Sequence, residues 1–388
     1  MTGISLLAGP DPLSGMEAAT SHRTRLGALP VAGPRLIEAL ERSDLRGRGG
    51  AAFPVGRKWR AVAGRRGGAP VVLVNGAEGE PLSRKDRVLM EARPHLVLDG
   101  AALAAAAVGA GEVLLYVGSD HGAAAGALRR ALADRPEAER RRTRVVAAPA
   151  RYVAGEETAA VRFVNDGVAL PTSAPPRPFE RGVAGRPTLV QNVESLAHVA
   201  MIGRFGDGWF RDLGRGASSG TALGEAIDTA GGGLTDASSA VLLGGYFGSW
   251  VTAAEAWSLP LDAATLRDRG HTLGCGVVAV LPEHRCGVVE TARILSYLAD
   301  QSARQCGPCV FGLGAIAAAV GRIASGGAEA ADLERIRRWS GELSGRGACR
   351  HPDGAAGMLL SALGAFPEEF RHHHELGRCS ATALREAA

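Results

Sequence analysis

Val71-Val72-Leu73-Val74-Asn75-Gly76-Ala77-Glu78-Gly79-Glu80-Pro81 reads in two halves. The first four residues form an unbroken aliphatic, mostly β-branched run, the pattern of a strand covered on both faces. Asn75-Gly76 ends the run, and the acidic turn that follows closes at a proline that a central strand would not carry. Downstream, helical periodicity over residues 93–108 and 122–133 alternates with short apolar runs at 113–117 and 144–147. This β-α-β-α order predicts a parallel sheet with helices on its faces. Ligands in such sheets sit beyond the carboxyl ends of the strands, where Asn75 and the acidic residues after it fall. Upstream, residues 33–42 read as a helix leading into Gly47-Arg48-Gly49-Gly50, and the first twenty-odd residues read as turn-rich and loose.

The remainder changes character twice. Residues 203–282 are rich in Gly and short apolar runs such as Val241-Leu242-Leu243-Gly244-Gly245-Tyr246-Phe247, the signature of a small α+β module. From Glu290 onward, apolar residues recur at three- and four-residue spacing over 291–303, 312–325 and 328–344, which predicts a helical bundle. Domains are therefore expected at residues 1–202, 203–285 and 286–388.

The chain has 388 residues and a formal charge of only +4, spread along its length, which argues against a nucleic-acid partner. Arg140-Arg141-Arg142 reads as a solvated face between a helix and a strand. The most apolar stretch, 96–118, is interrupted by Asp99, Gly100, Gly109, Gly111 and Glu112, so no membrane span is expected. No basic segment followed by an apolar core opens the chain, and a cytoplasmic location is expected. All six Cys lie in the last third, at 275, 286, 306, 309, 349 and 379, a distribution that suggests metal rather than a disulfide framework. Among 44 basic residues only Lys58 and Lys85 are lysines, and both flank the glycine-rich and acidic turns. A compact ammonium is not interchangeable with guanidinium, so the pair marks a place to look for chemistry.

Each motif alone is weak. The glycine loop can offer backbone N–H groups to a phosphate or a flavin edge, but glycine loops are commonly turns. Gly155-Glu156-Glu157-Thr158 also fits an ordinary helix start, and Asn192-Val193-Glu194-Ser195 an ordinary cap. In this order, with the Asn75-x-x-Glu78-x-Glu80-Pro81 turn between them, they are far more specific. Together they resemble the NADH- and FMN-binding subunit of respiratory complex I, and the diaphorase subunits of NAD-linked hydrogenases and formate dehydrogenases. The resemblance runs from about Leu45 to Phe370.

It implies a Rossmann-like flavin domain, a small β-grasp-like α+β domain and a C-terminal helical bundle with an iron-sulfur site. It places Gly47, Gly49, Lys58, Asn75, Glu78, Gly155, Glu156 and Asn192 at FMN-contacting positions, and Phe53, Glu80, Glu157 and Phe179 around bound NADH. Lys58 and the loop N–H groups could neutralise reduced flavin or phosphate, while Asn side chains hydrogen-bond the ring. No side chain is assigned an acid or base role, since hydride passes between cofactors. Lys85-Asp86-Arg87 also matches the family, and there a structural ion pair bracing the turn competes with ligand contact; Lys85 is left outside the site.

Departures from the family pattern are equally informative. Its cluster motif Ser-Cys-Gly-x-Cys-x-Pro-Cys is broken here at the first ligand: the text is Ser302-Ala303-Arg304-Gln305-Cys306-Gly307-Pro308-Cys309, with Cys349 forty residues beyond Cys309. Metal ligands are thus Cys306, Cys309 and Cys349. The family's four-iron (4Fe-4S) cluster would lack one thiolate. The open alternatives are a 3Fe-4S or incompletely ligated cluster, a substitute ligand from Cys286, Cys379 or the 372–374 histidines, or buried thiols with no cluster. Ala77 replaces an acidic residue, Ala61 an aromatic, Arg177 a lysine and Gln191 an asparagine. Loss of one aromatic partner removes about 1 kcal/mol of stacking. Residues 222–230 look helical, leaving little room for the hairpin that opens a β-grasp unit, so that domain is expected to be abbreviated.

Two functions follow. One is an NADH dehydrogenase (diaphorase) that passes hydride from NADH to FMN and single electrons through the cluster to a ferredoxin-like or other electron-transfer subunit. The other is a non-catalytic electron-transfer or assembly module of the same fold that has lost productive NADH binding.

Overall fold

The aliphatic run at 71–74 forms a strand, β1 (Val71–Gly76), inside a four-stranded sheet with β2 (Glu112–Gly118), β3 (Thr143–Ala148) and β4 (Thr188–Asn192). All pairings are parallel and the order is β3-β2-β1-β4. The computed structural model describes residues 5–217, 221–234 and 236–379. The chain divides into two units, Met1–Gly216 and Ala217–Ala388.

Period-two alternation explains how β1 is buried on both faces. Val72 and Val74 join Val113, Leu115, Val117 and Leu189 under the helices Pro34–Ser43, Val55–Ala63, Pro94–Val108 and Gly122–Ala133. Val71 and Leu73 turn the other way, onto Leu114, Tyr116, Val190 and the helix Glu157–Asp166. The chain crosses from β3 at one edge to β4 at the other, so the strand order reverses between β1 and β4. That reversal is the topological switch point of a doubly wound sheet, and Asn75 and Asn192 are register partners at its carboxyl end.

The leading segment departs from the expected looseness. Residues Ala19–Leu26 form a helix, and Glu17 and His22 are buried. The Arg25 guanidinium pairs with Glu17 at 2.8 Å, His22 Nε2 lies 2.7 Å from Asp99 Oδ2, and Arg93 donates to the Leu7 carbonyl at 2.8 Å. Asp99 also accepts Arg135 at 2.7 Å and is paired with Arg204. Polar pairing rather than an apolar stripe docks this helix, so hydrophobic periodicity could not reveal it.

The second unit carries a three-stranded antiparallel sheet of order β6-β5-β7, formed by β5 (Ser238–Leu243), β6 (Ser249–Thr252) and β7 (Val278–Pro282). The segment before it is a helix, Leu223–Gly231, as its sequence predicts, and no strand precedes β5 in this unit among the described residues. Helices Gly287–Asp300, Gly314–Ala324, Asp332–Leu343, His351–Ala365 and Pro367–Leu376 follow. Trp250 on β6 ties sheet to helices: its backbone N–H donates to Ser361 Oγ at 3.0 Å and its indole N–H to Thr291 Oγ1 at 3.1 Å.

Candidate functional site

The crevice at the carboxyl ends of β1 and β4 gathers the glycine loop, the acidic turn and the Gly155 segment. The loop is closed at its base by an antiparallel bridge between Arg46 and Pro54, by Gly47 N–H donating to the Phe53 carbonyl at 2.9 Å and by Val55 N–H donating to the Leu45 carbonyl at 2.9 Å. The Arg48 N–H donates to Ser195 Oγ at 2.9 Å, which fastens the loop to the start of the helix after β4. A Cβ on Gly49 would sit 3.4 Å from Asn192 Cβ, and Gly50 has φ +102°, a conformation glycine adopts without strain. The N–H groups of Gly49 and Gly50 find no acceptor among the described residues.

Backbone meets backbone on the other side. A Cβ on Gly79 would lie 2.9 Å from Tyr152 Cα, and one on Gly155 would lie 2.8 Å from the Ala77 carbonyl oxygen. Asn75 locks the contact: its Nδ2 donates to the Gly155 carbonyl at 2.8 Å and its Oδ1 accepts the Ala77 N–H at 3.3 Å. Glu156 caps the helix Glu157–Asp166, accepting the Thr158 and Ala159 N–H groups at 2.9 Å each. Burial pushes its carboxyl above the usual range, against those hydrogen bonds. Glu78 is likewise committed, accepting from Ser83, from Asp86 N–H at 3.2 Å and from Arg87 N–H at 3.0 Å, so it caps the helix Lys85–Ala92.

The two lysines do different things. Lys58 Nζ donates to Glu157 Oε2 at 2.8 Å and to the Val190 carbonyl at 3.1 Å. An ammonium carries three hydrogens, so one is left to offer. Lys85 sits in an ionic knot, 2.9 Å from Asp86 Oδ2 and 3.0 Å from Glu194 Oε2, with Asn192 Oδ1 at 3.4 Å. Burial works against its charge, but Asp86 and Glu194 outweigh it and raise its pKa. Glu194 is in turn held down at about 2, against its burial, by His198, Lys85 and Arg48. Asn192 Nδ2 donates to Asp86, and Glu194 N–H donates to Asp86 Oδ1 at 3.0 Å. Asp86, Glu194 and Ser195 were not among the expected site residues. The carboxylate two positions after Asn192 in the Asn-Val-Glu-Ser motif was the available signal.

Of the remaining expected residues, Phe53 projects with half its surface exposed. Glu80 accepts from the Tyr152 hydroxyl at 3.3 Å. Phe179 is half-buried, with the Arg65 guanidinium 5.0 Å above its ring.

In the second unit Cys306 precedes a π-helical stretch, Pro308–Leu313, which carries the buried Cys309. Burial and the neighbouring thiols of Cys306 and Cys349 push the Cys309 thiol up to about 11. Ala303 supplies no fourth. Cys286 and Cys379 face each other in another group, with Glu369 and His373.

Residues 40–201 match the Nuo51 FMN-binding domain, and residues 290–373 match the NADH-ubiquinone oxidoreductase-F iron-sulfur binding region. The F 2 subunit of the NADH-quinone oxidoreductase of Rhizobium meliloti (strain 1021) is 31% identical, with 95% of each chain covered. The chain belongs to the family of NADH-quinone oxidoreductase F subunits. Also similar to this family member is HndC, a subunit of the NADP-reducing hydrogenase of Solidesulfovibrio fructosivorans, 27% identical over 96% of this chain and 82% of that one. A solved NAD+-reducing [NiFe]-hydrogenase in its H2-reduced state is similar in fold, with a TM-score of 0.78 and 29% identity over 88% of this chain. The chain spans 62% of the length of that hydrogenase chain. No helix among the described residues is long and apolar enough to cross a membrane.

Proposed function

We propose that this protein is an NADH dehydrogenase (diaphorase)-type electron-transfer subunit, in which bound FMN would take hydride from NADH and an iron-sulfur cluster would pass single electrons to a ferredoxin-like or other electron-transfer subunit. The observation that carries the reading is the crevice at the β1–β4 switch point, floored by Asn75 and Asn192 and bordered by a loop whose Gly49 and Gly50 N–H groups lack an acceptor among the described residues. Such a pair of N–H groups fits a phosphate. In this reading residues 1–202 hold FMN and NADH, 203–285 form the small α+β domain, and 286–388 carry the cluster, in a cytoplasmic protein.

The residues present fit FMN. Gly47 and Gly49 would admit the phosphate, and Lys58 would add a cation whose charge is already balanced by Glu157. Asn75, Glu78, Gly155, Glu156 and Asn192 would act as a pre-formed frame, because their side chains or backbones are already tied to one another. Phe53, Glu80, Glu157 and Phe179 would border the nicotinamide nucleotide. The three thiols of Cys306, Cys309 and Cys349, with Ala303 at the remaining motif position, would supply a cluster with three cysteinyl ligands rather than four.

Colour and spectrum of the purified protein, followed by NADH under nitrogen, test the reading. Yellow protein that bleaches supports it, and colourless protein that takes up no added FMN overturns it. Flavin that stays oxidised in NADH would favour the non-catalytic module, a reading supported by Ala77, by Ala61 and by the cation already lying over Phe179.

A further inference from the structure

The second sulfur group is unused by flavin chemistry and lies outside the Cys306–Cys309–Cys349 set. Cys286 is the N-cap of the 14-residue helix Gly287–Asp300. Glu369 and His373 are four apart on the helix Pro367–Leu376 and therefore share a face. That helix ends at Gly377 with φ +65°, and the turn brings Cys379 back towards the same face. The turn is itself seated, since a Cβ on Gly326 would lie 2.4 Å from the Gly377 carbonyl oxygen.

One ligand atom from each of Cys286, Glu369, His373 and Cys379 lies within 4.8 Å of every other. The separations are 3.3 Å for Cys286 Sγ to His373 Nε2, 3.0 Å for Cys379 Sγ to Glu369 Oε1, 3.4 Å for His373 Nε2 to Glu369 Oε1 and 3.8 Å for Cys286 Sγ to Glu369 Oε1. Bonds of about 2.0–2.3 Å to a tetrahedral centre put ligand atoms roughly 3.3–3.8 Å apart, so the observed edges need little adjustment. Hydrogen bonding alone accounts poorly for the arrangement. Both thiols and the imidazole converge on the same carboxylate oxygen, and His373, only 2% exposed, has no hydrogen-bond partner for its Nδ1.

We propose that Cys286, Glu369, His373 and Cys379 form a four-coordinate site for a divalent, thiolate-preferring transition metal, zinc first among them. Two thiolates, an imidazole and a carboxylate suit zinc, and four protein ligands leave no open position, which makes the site structural. Binding releases the two thiol protons and clamps the end of the last described helix to the start of the helix Gly287–Asp300. The site is independent of the flavin reading.

The test uses the full chain with Cys306, Cys309 and Cys349 all changed to Ser, which removes the competing thiols, kept reduced under nitrogen and freed of metal. Titration with Co2+ and then Zn2+ is expected to show one equivalent bound, with thiolate-to-cobalt charge transfer that zinc abolishes. X-ray absorption of the zinc form is expected to show two sulfurs at about 2.3 Å and two lighter ligands at about 2.0–2.1 Å. In that background Cys379→Ser, which alters a residue beyond the last described helix, should weaken binding more than about a hundredfold, beyond the usual effect of an outer-shell change. Circular dichroism checks that it folds, and Cys286→Ser provides the second variant. Unchanged affinity in both folded variants overturns the site, as does the absence of thiolate charge transfer. In the chain with all its cysteines, loss of iron rather than zinc from Cys286→Ser would also overturn it, by assigning these thiols to the cluster.

Discussion

The crevice of the first unit and the cysteine region of the second solve the same problem in opposite ways. In the crevice, the buried charges on the β4 side are closed by protein partners: Lys85 by Asp86 and Glu194, and Asp86 by Asn192 and the Glu194 N–H. Such a site keeps its shape without a ligand, and binding carries little ordering cost. In the second unit the buried Cys309 thiol has the thiols of Cys306 and Cys349 as neighbours, and burial and those neighbours push it up to about 11. In the proposed reading that arrangement would be completed when metal replaces protons. On that reading the difference is between a frame made in advance and a ligand set that an ion would complete.

The largest effect should fall on the waiting set. Reconstituted under nitrogen, the parent is expected to bind about three irons per chain and Cys309→Ser fewer than one, measured by iron and sulfide analysis with EPR. A parent with fewer than about two irons would remove the cluster from that side of the comparison.

Next comes the knot. Lys85→Ala leaves Asp86 and Glu194 without their shared cation and should cost about 3 kcal/mol in urea unfolding. A loss of FMN with stability intact would break the contrast, by making Lys85 a ligand rather than a brace.

Acid should act on the closed pairs as well. Buried Asp99 titrates near 2 rather than its ordinary 3.8, because His22, Arg135 and Arg204 outweigh the cost of burial. A lowered folded-state value stabilises fully above the ordinary value and is lost as pH falls towards 2, about 2 kcal/mol between pH 5 and 2. Urea midpoints across that range should fall less steeply in Asp99→Asn than in the parent.

The smallest effect belongs to Lys58. Lys58→Ala should weaken FMN retention about tenfold, or about 1.4 kcal/mol, with little change in unfolding midpoint. Equal flavin content in variant and parent would contradict the role proposed for its remaining hydrogen.

Much of the first unit was legible because its signals are local. An aliphatic run stopped by Asn75-Gly76, followed by alternating helical and strand periods, predicts a two-faced parallel sheet, and the observed strands begin and end within a residue or two of the expected runs. The helix at Leu223–Gly231 was legible for the same reason. The helix at Ala19–Leu26 was not, because buried ion pairs hold it and leave no apolar period to read.

The lysines divide the same way. Rarity and motif position marked both Lys58 and Lys85, and motif position separated them, since one lies beside the glycine loop and the other beside the acidic turn. Only the folded chain shows Lys85 between Asp86 and Glu194, because Glu194 reaches it from the far end of β4, more than a hundred positions away in the chain.

The amino-acid sequence by itself determined the sheet, the order of the crevice motifs, the missing thiol at Ala303 and the helical nature of the last third. Each of these is written in neighbouring residues, through period, turn chemistry or fixed spacing. Tertiary structure alone decided which charges close on one another. It also decided that Cys286 meets His373 across 87 positions of chain and not the Cys306–Cys309 pair nearer in sequence. The physical reason is that partners so far apart are selected by how helices pack, and packing is a property of the whole unit that no local window of sequence carries.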